Sequence, residues 1–301
     1  MTHAPLTIRT LELTRCPLCD CGEVKRELVS RDFESGSGRF DVAGCGACGL
    51  RFTTPRPVEE DIPRLYEQRS TSDFPRPSRL AAWLRSLHMR RQIRSVLRWR
   101  KDAPFRALDY GCGDGTFAAE IARFPGCTEA VAADFHAVAP PAIASNPCVR
   151  YTGYEGLTME RGRFDVVFLR HVLEHQIDPR AFLRELAAYA RPGGILSIEV
   201  PSYDSVWRRV FGGSYAGLYV PRHLYHFEAR SLRAVCAPME ILSLRRSHTP
   251  TVGRSLGYRL GLPLSNLGLA DLALFPLQMA VDAAVRKSSA LCLVAAVAGD
   301  E

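Results

Sequence analysis

Three groups of residues in this chain have the types and spacings that chemistry needs. The first is two Cys-x-x-Cys turns, Cys16-Pro-Leu-Cys19 and Cys45-Gly-Ala-Cys48, separated by twenty-five residues. Each turn wraps two thiolates around one corner of a tetrahedron, and Gly46 and Gly49 permit the tight backbone of a knuckle. Four thiolates close a coordination sphere, so the metal expected here is a structural zinc ion that holds the fold. Iron takes the same ligand set, and Cys21 is a spare thiol that competes as a ligand. The second group is Asp109 followed by Gly111, Cys112, Gly113 and Gly115. Glycines so placed let backbone approach a ligand closely and let a helix begin tight against a sheet. About twenty residues on, Val131-Ala-Ala-Asp134 puts a carboxylate where ribose hydroxyls can donate to it, and Phe135 follows as a packing surface for adenine. The loop reads G-x-G-x-G rather than the dinucleotide G-x-G-x-x-G. Its preceding acid would repel a pyrophosphate and suits the ammonium and sulfonium charges of S-adenosylmethionine. The third group is four histidines, His171, His175, His223 and His226, any of which is a candidate base.

Elements that position these groups follow from the pattern of apolar residues. From Arg106 onward, short apolar strands alternate with helices. The strands expected are Ala107 to Asp109, Ala130 to Ala133, Val149 to Thr152, Asp165 to Leu169 and Ile195 to Val200. Helices are expected at Thr116 to Arg123, Pro179 to Ala190 and Ala229 to Cys236. The alternation predicts an α/β fold, a doubly wound parallel sheet whose ligand sits at the carboxyl ends of the strands. A further strand (Ile241 to Arg245), an insertion with a helix near Ala270 to Val285, and a closing strand (Ala290 to Val297) complete the chain. Three regions are expected: residues 1–55 as a zinc-ribbon-like module, 56–103 as a helical linker or lid punctuated by Pro55, Pro57, Pro63, Pro75 and Pro77, and 104–301 as the nucleotide-binding domain with a helical insertion at about 250–288.

The run LDYGCGDG with ADF resembles the first two motifs of class I S-adenosylmethionine-dependent methyltransferases. Phe164-Asp-Val-Val-Phe-Leu-Arg-His-Val-Leu-Glu-His175, Asp178-Pro179 and Arg191-Pro-Gly-Gly-Ile-Leu-Ser-Ile-Glu199 resemble the fourth strand, the following helix and the fifth strand of that family. This implies a Rossmann-like sheet of strand order 3-2-1-4-5-7-6, with the last strand antiparallel. It also implies cofactor contacts from Asp109, Gly111, Cys112, Gly113, Asp134, Phe135, Arg170 and His171. The N-terminal CPLC…CGACGLRFTTPRP…LYEQ resembles the zinc-binding leader of bacterial sugar C-methyltransferases that act on nucleotide-linked deoxysugars, without the large third domain that follows in those enzymes. His223-Leu-Tyr-His-Phe227 is similar to their catalytic histidine segment. His223 therefore takes the base position, with His226 and His175 behind it; Arg222 stands where that family has glutamate, and Val220 where it has tyrosine. His175, next to Glu174, also has an ordinary reading as a cap or packing residue, as do Tyr66, Tyr203 and Tyr219, candidates for lining the acceptor pocket. The chain lacks the Asn/Asp-Pro-Pro-Tyr/Phe of amino-methylating nucleic-acid enzymes and has Leu169-Arg-His-Val there. The implied reaction is methyl transfer to carbon or oxygen of a small hydroxylated metabolite, a sugar or nucleotide sugar before others. RNA methylation, and a non-catalytic binding module, are the competing readings.

Composition bounds the partners. Lysines and arginines number 39 against 32 acids, and eight of those cations fall between Arg79 and Lys101 with no acid among them. Leu80, Trp83, Leu84, Leu87, Ile93 and Leu97 recur there at helical spacing, so the expectation is an amphipathic helix with a solvated cationic face, and nucleic acid is not favoured. The opening residues have no secretory-signal profile, and no apolar run is long enough to span a bilayer. A cytoplasmic protein with reduced cysteines is expected. The apolar segment Leu267–Val285 is expected to pack on the core or on a second subunit, as in a homodimer, with a lid or a membrane-surface helix as alternatives.

Overall fold

Strands whose residues are apolar on both faces must lie inside a sheet covered on both sides, and the central strands of this chain are of that kind. The computed structural model describes residues 6–66, 79–100, 104–262 and 267–298. The leader holds β1 (Thr10–Leu11), β2 (Val24–Arg31), β3 (Arg39–Cys45), β4 (Arg51–Thr54) and β5 (Arg56–Pro57). Helix α1 (Arg79–Leu97) follows, and Pro75 and Pro77 of the expected linker lie outside the described residues. Next come β6 (Phe105–Tyr110), α2 (Thr116–Ala122), β7 (Cys127–Asp134), β8 (Val149–Gly153), β9 (Phe164–Arg170), α3 (Pro179–Ala187) and β10 (Ala190–Pro201). The remainder is α4 (Val206–Phe211), β11 (Tyr225–His226), α5 (Ala229–Cys236), β12 (Glu240–Ser247), α6 (Val252–Leu260), α7 (Leu267–Ala284) and β13 (Ala290–Ala296).

Seven strands form one sheet in the order β12-β13-β10-β9-β6-β7-β8. The pairs from β10 through β8 are parallel, and β13 runs antiparallel to both β10 and β12. This is the expected order 3-2-1-4-5-7-6 of an α/β, Rossmann-like doubly wound sheet. Val166, Val167, Phe168 and Leu169 of β9 are at most 1 % exposed, as a strand paired on both edges and covered on both faces requires. Local signals set the helix starts. Asp178 caps α3 by accepting from the amides of Arg180 and Ala181, with Pro179 at its first position, and Glu228 and Ser231 close a capping box on α5.

The leader is joined to this sheet more closely than a bead on a string. β11 pairs antiparallel with β4, giving a second sheet of order β11-β4-β3-β2 in which a strand from the far end of the chain completes the leader. One hydrophobic cluster accordingly includes Ala43, Leu50 and Phe52 together with Leu108, Leu196, Leu224 and Phe227.

Two helices bury faces other than their apolar residues suggest. On α1, Met89, Gln92, Ile93 and Val96 are buried, whereas Trp83 and Leu84 are 57 % and 47 % exposed. The buried face is set by contact with β6 and α2, and the first turns of the helix run past it; the side chain of Leu80 lies outside the described residues. On α7 the amphipathic pattern is reversed. Asp271, Gln278 and Asp282 are the buried side chains, and Leu269 and Leu277 are more than half exposed.

Candidate functional site

The glycine loop follows β6 and leads into α2. Gly111, Gly113 and Gly115 all have φ between 55 and 74°, the left-handed region that glycine enters without strain. A Cβ on Gly111 would lie 2.4 Å from Val172 Cγ2, and one on Gly115 would strike Pro140 and Ile143. A Cβ on Gly113 would meet nothing within 4 Å. Two glycines therefore serve packing, and the third leaves space above the loop. Gly113 N donates to Asp134 Oδ2 at 2.9 Å, and Phe135 N donates to Oδ1. These bonds fix the Asp134 carboxylate at the tip of β7 and leave lone pairs for further donors. Phe135 is 60 % exposed beside it, edge-on to Tyr66. Cys112 is buried beneath the loop.

Asp109, at the end of β6, is buried, and its Oδ2 has no hydrogen-bond partner. Burial pushes its carboxyl up to about 7, against the lowering pull of Arg170. A buried carboxylate with one oxygen unpartnered has room for a further donor, and the fit to an ammonium-bearing ligand rests on that oxygen. Arg170 lies over Phe117 and 3.4 Å from Glu199, and it acts on Asp109 through its charge.

Glu199 on β10 is a junction that sequence reasoning missed. It accepts from Gln92 of α1 at 2.7 Å and from Ser247 of β12 at 2.9 Å, with His171 Nε2 at 3.4 Å. Burial opposes its charge, yet Arg170, His171 and Ser247 together hold its carboxyl well below the usual range. His171, at φ 54°, turns the chain at the end of β9. Burial disfavours its imidazolium, but Glu174 and Glu199 outweigh that and raise it to about 9. A charged imidazolium between two carboxylates is thus an anchor rather than a base, and it reaches Thr249 Oγ1 at 3.1 Å.

The remaining histidines divide into two kinds. His223 is buried, and its Nδ1 lies 3.0 Å from the carbonyl of Gly217. A carbonyl only accepts, so Nδ1 carries the proton and Nε2 the lone pair. Burial, followed by the nearby His175 and His226, depresses its pKa far below the ordinary value. Its Nε2 stands 3.7 Å from Glu174 Oε1. Glu174, the second residue missed, is fully buried, and neither carboxylate oxygen has a hydrogen-bond partner. His175 Nδ1 donates to the carbonyl of Arg222 at 2.9 Å, with Tyr66 Oη 3.0 Å away, and its ring meets that of His223 edge-on at 4.7 Å. Tyr219 packs edge-on against both rings. His226 is of the other kind: its Nε2 bonds Thr53 Oγ1 at 3.0 Å, and burial lowers its pKa to about 3. Tyr203 likewise faces the leader, donating to Glu27 and lying beneath Arg208.

The leader holds the His223 segment in place. Thr53 Oγ1 donates to the His223 carbonyl at 2.6 Å, and Thr53 N donates to the carbonyl of Leu224. Arg222, which replaces the glutamate of the resembling family, is buried and donates to Asp32 and to the carbonyl of Leu65. The thiols behind this sheet converge. Cys16 and Cys48 sulfurs are 3.6 Å apart, as are those of Cys19 and Cys45, and all four lie within 4.8 Å of one another. A disulfide would bring sulfurs to about 2.0 Å. A tetrahedron with metal–sulfur bonds of about 2.3 Å has edges of about 3.8 Å, which the donor set fits. Cys21 stands aside, with its sulfur accepting from Glu23 N.

Comparison with known proteins adds relatives of two kinds. A ubiquinone biosynthesis O-methyltransferase of Rhodopseudomonas palustris is 27 % identical over 133 residues, covering 41 % of this chain and 51 % of that enzyme. One from Caulobacter vibrioides is 34 % identical over 105 residues, covering 32 % and 42 %. The chain thus spans about half or less of the length of these curated relatives. The structure of Burkholderia thailandensis 1,6-didemethyltoxoflavin-N1-methyltransferase, with S-adenosylhomocysteine bound, aligns over 86 % of this chain and 96 % of its own at 18 % identity and a TM-score of 0.50, a likeness of fold. Residues 77–237, more than half of the chain, match the family model described as a methyltransferase domain, and on that match this chain belongs to the methyltransferase domain family.

Proposed function

We propose that this protein is an S-adenosylmethionine-dependent methyltransferase that methylates a hydroxyl of a small hydroxylated molecule, with His223 as the base. The observation that carries the reading is the 3.7 Å gap between Glu174 Oε1 and His223 Nε2. Both atoms are lone-pair acceptors, and although His171 Nδ1 also faces Glu174 Oε1 at 3.5 Å, a proton donor set beside the pair suits them; an acceptor hydroxyl is such a donor. Asp109, Gly111, Cys112, Gly113, Asp134, Phe135, Arg170 and His171 would hold the cofactor, which supplies an electrophilic methyl group when bound. Asp134 would receive the ribose hydroxyls and Asp109 would face the ammonium, while the imidazolium of His171 keeps the β9 tip in shape. His223 Nε2 would take the hydroxyl proton when the methyl group passes from the cofactor's sulfur, which leaves as a thioether, to that oxygen, and Tyr66, His175 and Tyr219 would shield the site from water. Zinc held by Cys16, Cys19, Cys45 and Cys48 supports this arrangement from behind, and ten cysteines with no disulfide among them suit the reducing cytoplasm.

The names of the curated relatives specify oxygen, and the leader's resemblance points to nucleotide sugars; both present a hydroxyl. The test is incubation with labelled cofactor and a panel of nucleotide sugars and hydroxylated aromatics, read by mass for one added methyl group. His223→Ala should lower kcat by about 10²- to 10⁴-fold with cofactor affinity retained. Turnover unchanged in that variant, or methylation only of nitrogen, would remove the reading.

A further inference from the structure

A soluble helix usually hides its apolar stripe, and α7 does the reverse. Asp271 accepts from Arg254 N at 2.7 Å, Gln278 donates to Ser289 and to the carbonyl of Thr249, and Asp282 receives Trp207 Nε1 and His248 Nδ1. Every polar side chain of the helix is thus consumed inward, and the outward positions are Leu269, Ala273, Pro276, Leu277, Ala280 and Ala284. Beside it on α6 and just after, Leu256, Leu260 and Leu262 are 40 to 62 % exposed. The His88 ring meets Phe275 edge-on at 5.7 Å, which sets α1 against α7. The outward side of α1 carries exposed Trp83 and Leu84 together with exposed Arg91 and Arg94, and exposed Arg98 follows its last residue. Among the described residues no carboxylate pairs with Arg91 or Arg94, whereas Arg85 and Arg90 are paired with Asp114 and Glu120.

We propose that this face, α7 and α6 with the outward side of α1, docks on an anionic lipid surface. The occupant follows from charge. A second copy that covered the α1 side of this face about a dyad would set arginines against arginines, whereas an anionic bilayer neutralises them and accepts the leucines and the tryptophan at its interface. No helix among the described residues is long and apolar enough to cross a membrane, so the contact is peripheral. The same hairpin reaches the site through Thr249, bonded to His171, and docking would set the acceptor pocket near the lipid.

The full chain is floated with neutral phosphatidylcholine vesicles and with vesicles containing phosphatidylglycerol, at low and physiological salt. Binding should favour the anionic vesicles by about tenfold or more, weaken with salt and shift Trp fluorescence to the blue. The double variant L269E/L277E and the double variant R91E/R94E should each lose it while keeping the wild-type circular dichroism. Absence of wild-type binding, or binding unaltered in L269E/L277E, overturns the proposal. So does light scattering that finds a dimer which L269E/L277E dissociates, since the face would then belong to a second copy.

Discussion

At the scale of single residues, the cofactor loop holds two sharply different glycines and one carboxyl poised near neutrality. Gly111→Ala places a methyl 2.4 Å from Val172 at positive φ, so it should lower the melting temperature and displace the 3-10 turn that carries Glu174. Gly113→Ala meets only the strain of a left-handed alanine, about 1–2 kcal/mol, and should fold while raising KM for the cofactor. Thermal melts beside kinetics separate the two, and equal losses of stability would contradict the packing difference. Asp109 titrates near 7, so cofactor affinity should fall as pH drops from 8 to 6, and Asp109→Asn should bind weakly with that pH dependence gone, as measured by calorimetry. The stability effect has the opposite sense. Between the ordinary carboxyl value and 7 the folded chain binds the extra proton, so this group's contribution to stability falls as pH rises through that interval. Asp109→Asn should therefore be more stable than wild type at pH 8, roughly 2 kcal/mol or more, a trade of stability for binding. The glycines and both acids of this loop could be read from sequence because backbone chemistry demands those residue types. Glu174 could not, since a fully buried acid inside Val-Leu-Glu-His leaves no periodic mark, and its place opposite His223 depends on contacts fifty residues away.

At the scale of elements, the strands of the central sheet were legible because burial on both faces writes continuous apolar runs, and the capped starts of α3 and α5 added local confirmation. The pairing of β11 with β4 was not legible. Two residues, Tyr225 and His226, carry no strand signal of their own, and they pair across more than 170 residues of chain. That pairing has a functional consequence, because the His223 carbonyl and the His226 ring share Thr53 Oγ1. Removing the metal expected at Cys16, Cys19, Cys45 and Cys48 should loosen β3 and β4, and with them the segment 219–227. Chelation should lower kcat and open that segment to protease. Thr53→Val should reproduce part of the effect with the metal retained, at about 1–3 kcal/mol of stability, because it strands a buried ring nitrogen. Full activity after chelation, with zinc content measured as zero, would break the connection. The reversal on α7 was also beyond the sequence: periodicity reports that a helix has two sides, and only the position of its neighbours tells which side is covered.

At the scale of the whole molecule, the seam between leader and sheet is where the buried neutral histidines are concentrated. His223 and His226 are both held uncharged by burial, the latter down to about 3, while in the unfolded chain each would titrate near the ordinary value. Below pH 6.5 the unfolded chain therefore binds protons that the folded one does not, and stability is lost as pH falls toward 3, by about 1.4 kcal/mol per pH unit for each such histidine. Because the seam also contains Arg222 on Asp32 and a hydrophobic cluster continuous across both sheets, leader and domain have no plane along which to separate cheaply. Scanning calorimetry at pH 7 should give one transition, and lowering the pH to 5 should move that transition down as a unit. His226→Gln should reduce the slope between pH 6 and 4, since it keeps a group able to bond Thr53 and removes one titration. Two resolved transitions at pH 7, with the leader melting first and the His223 segment unaffected, would show that the seam does not transmit stability, and the link from thiol quartet to base would fail with it.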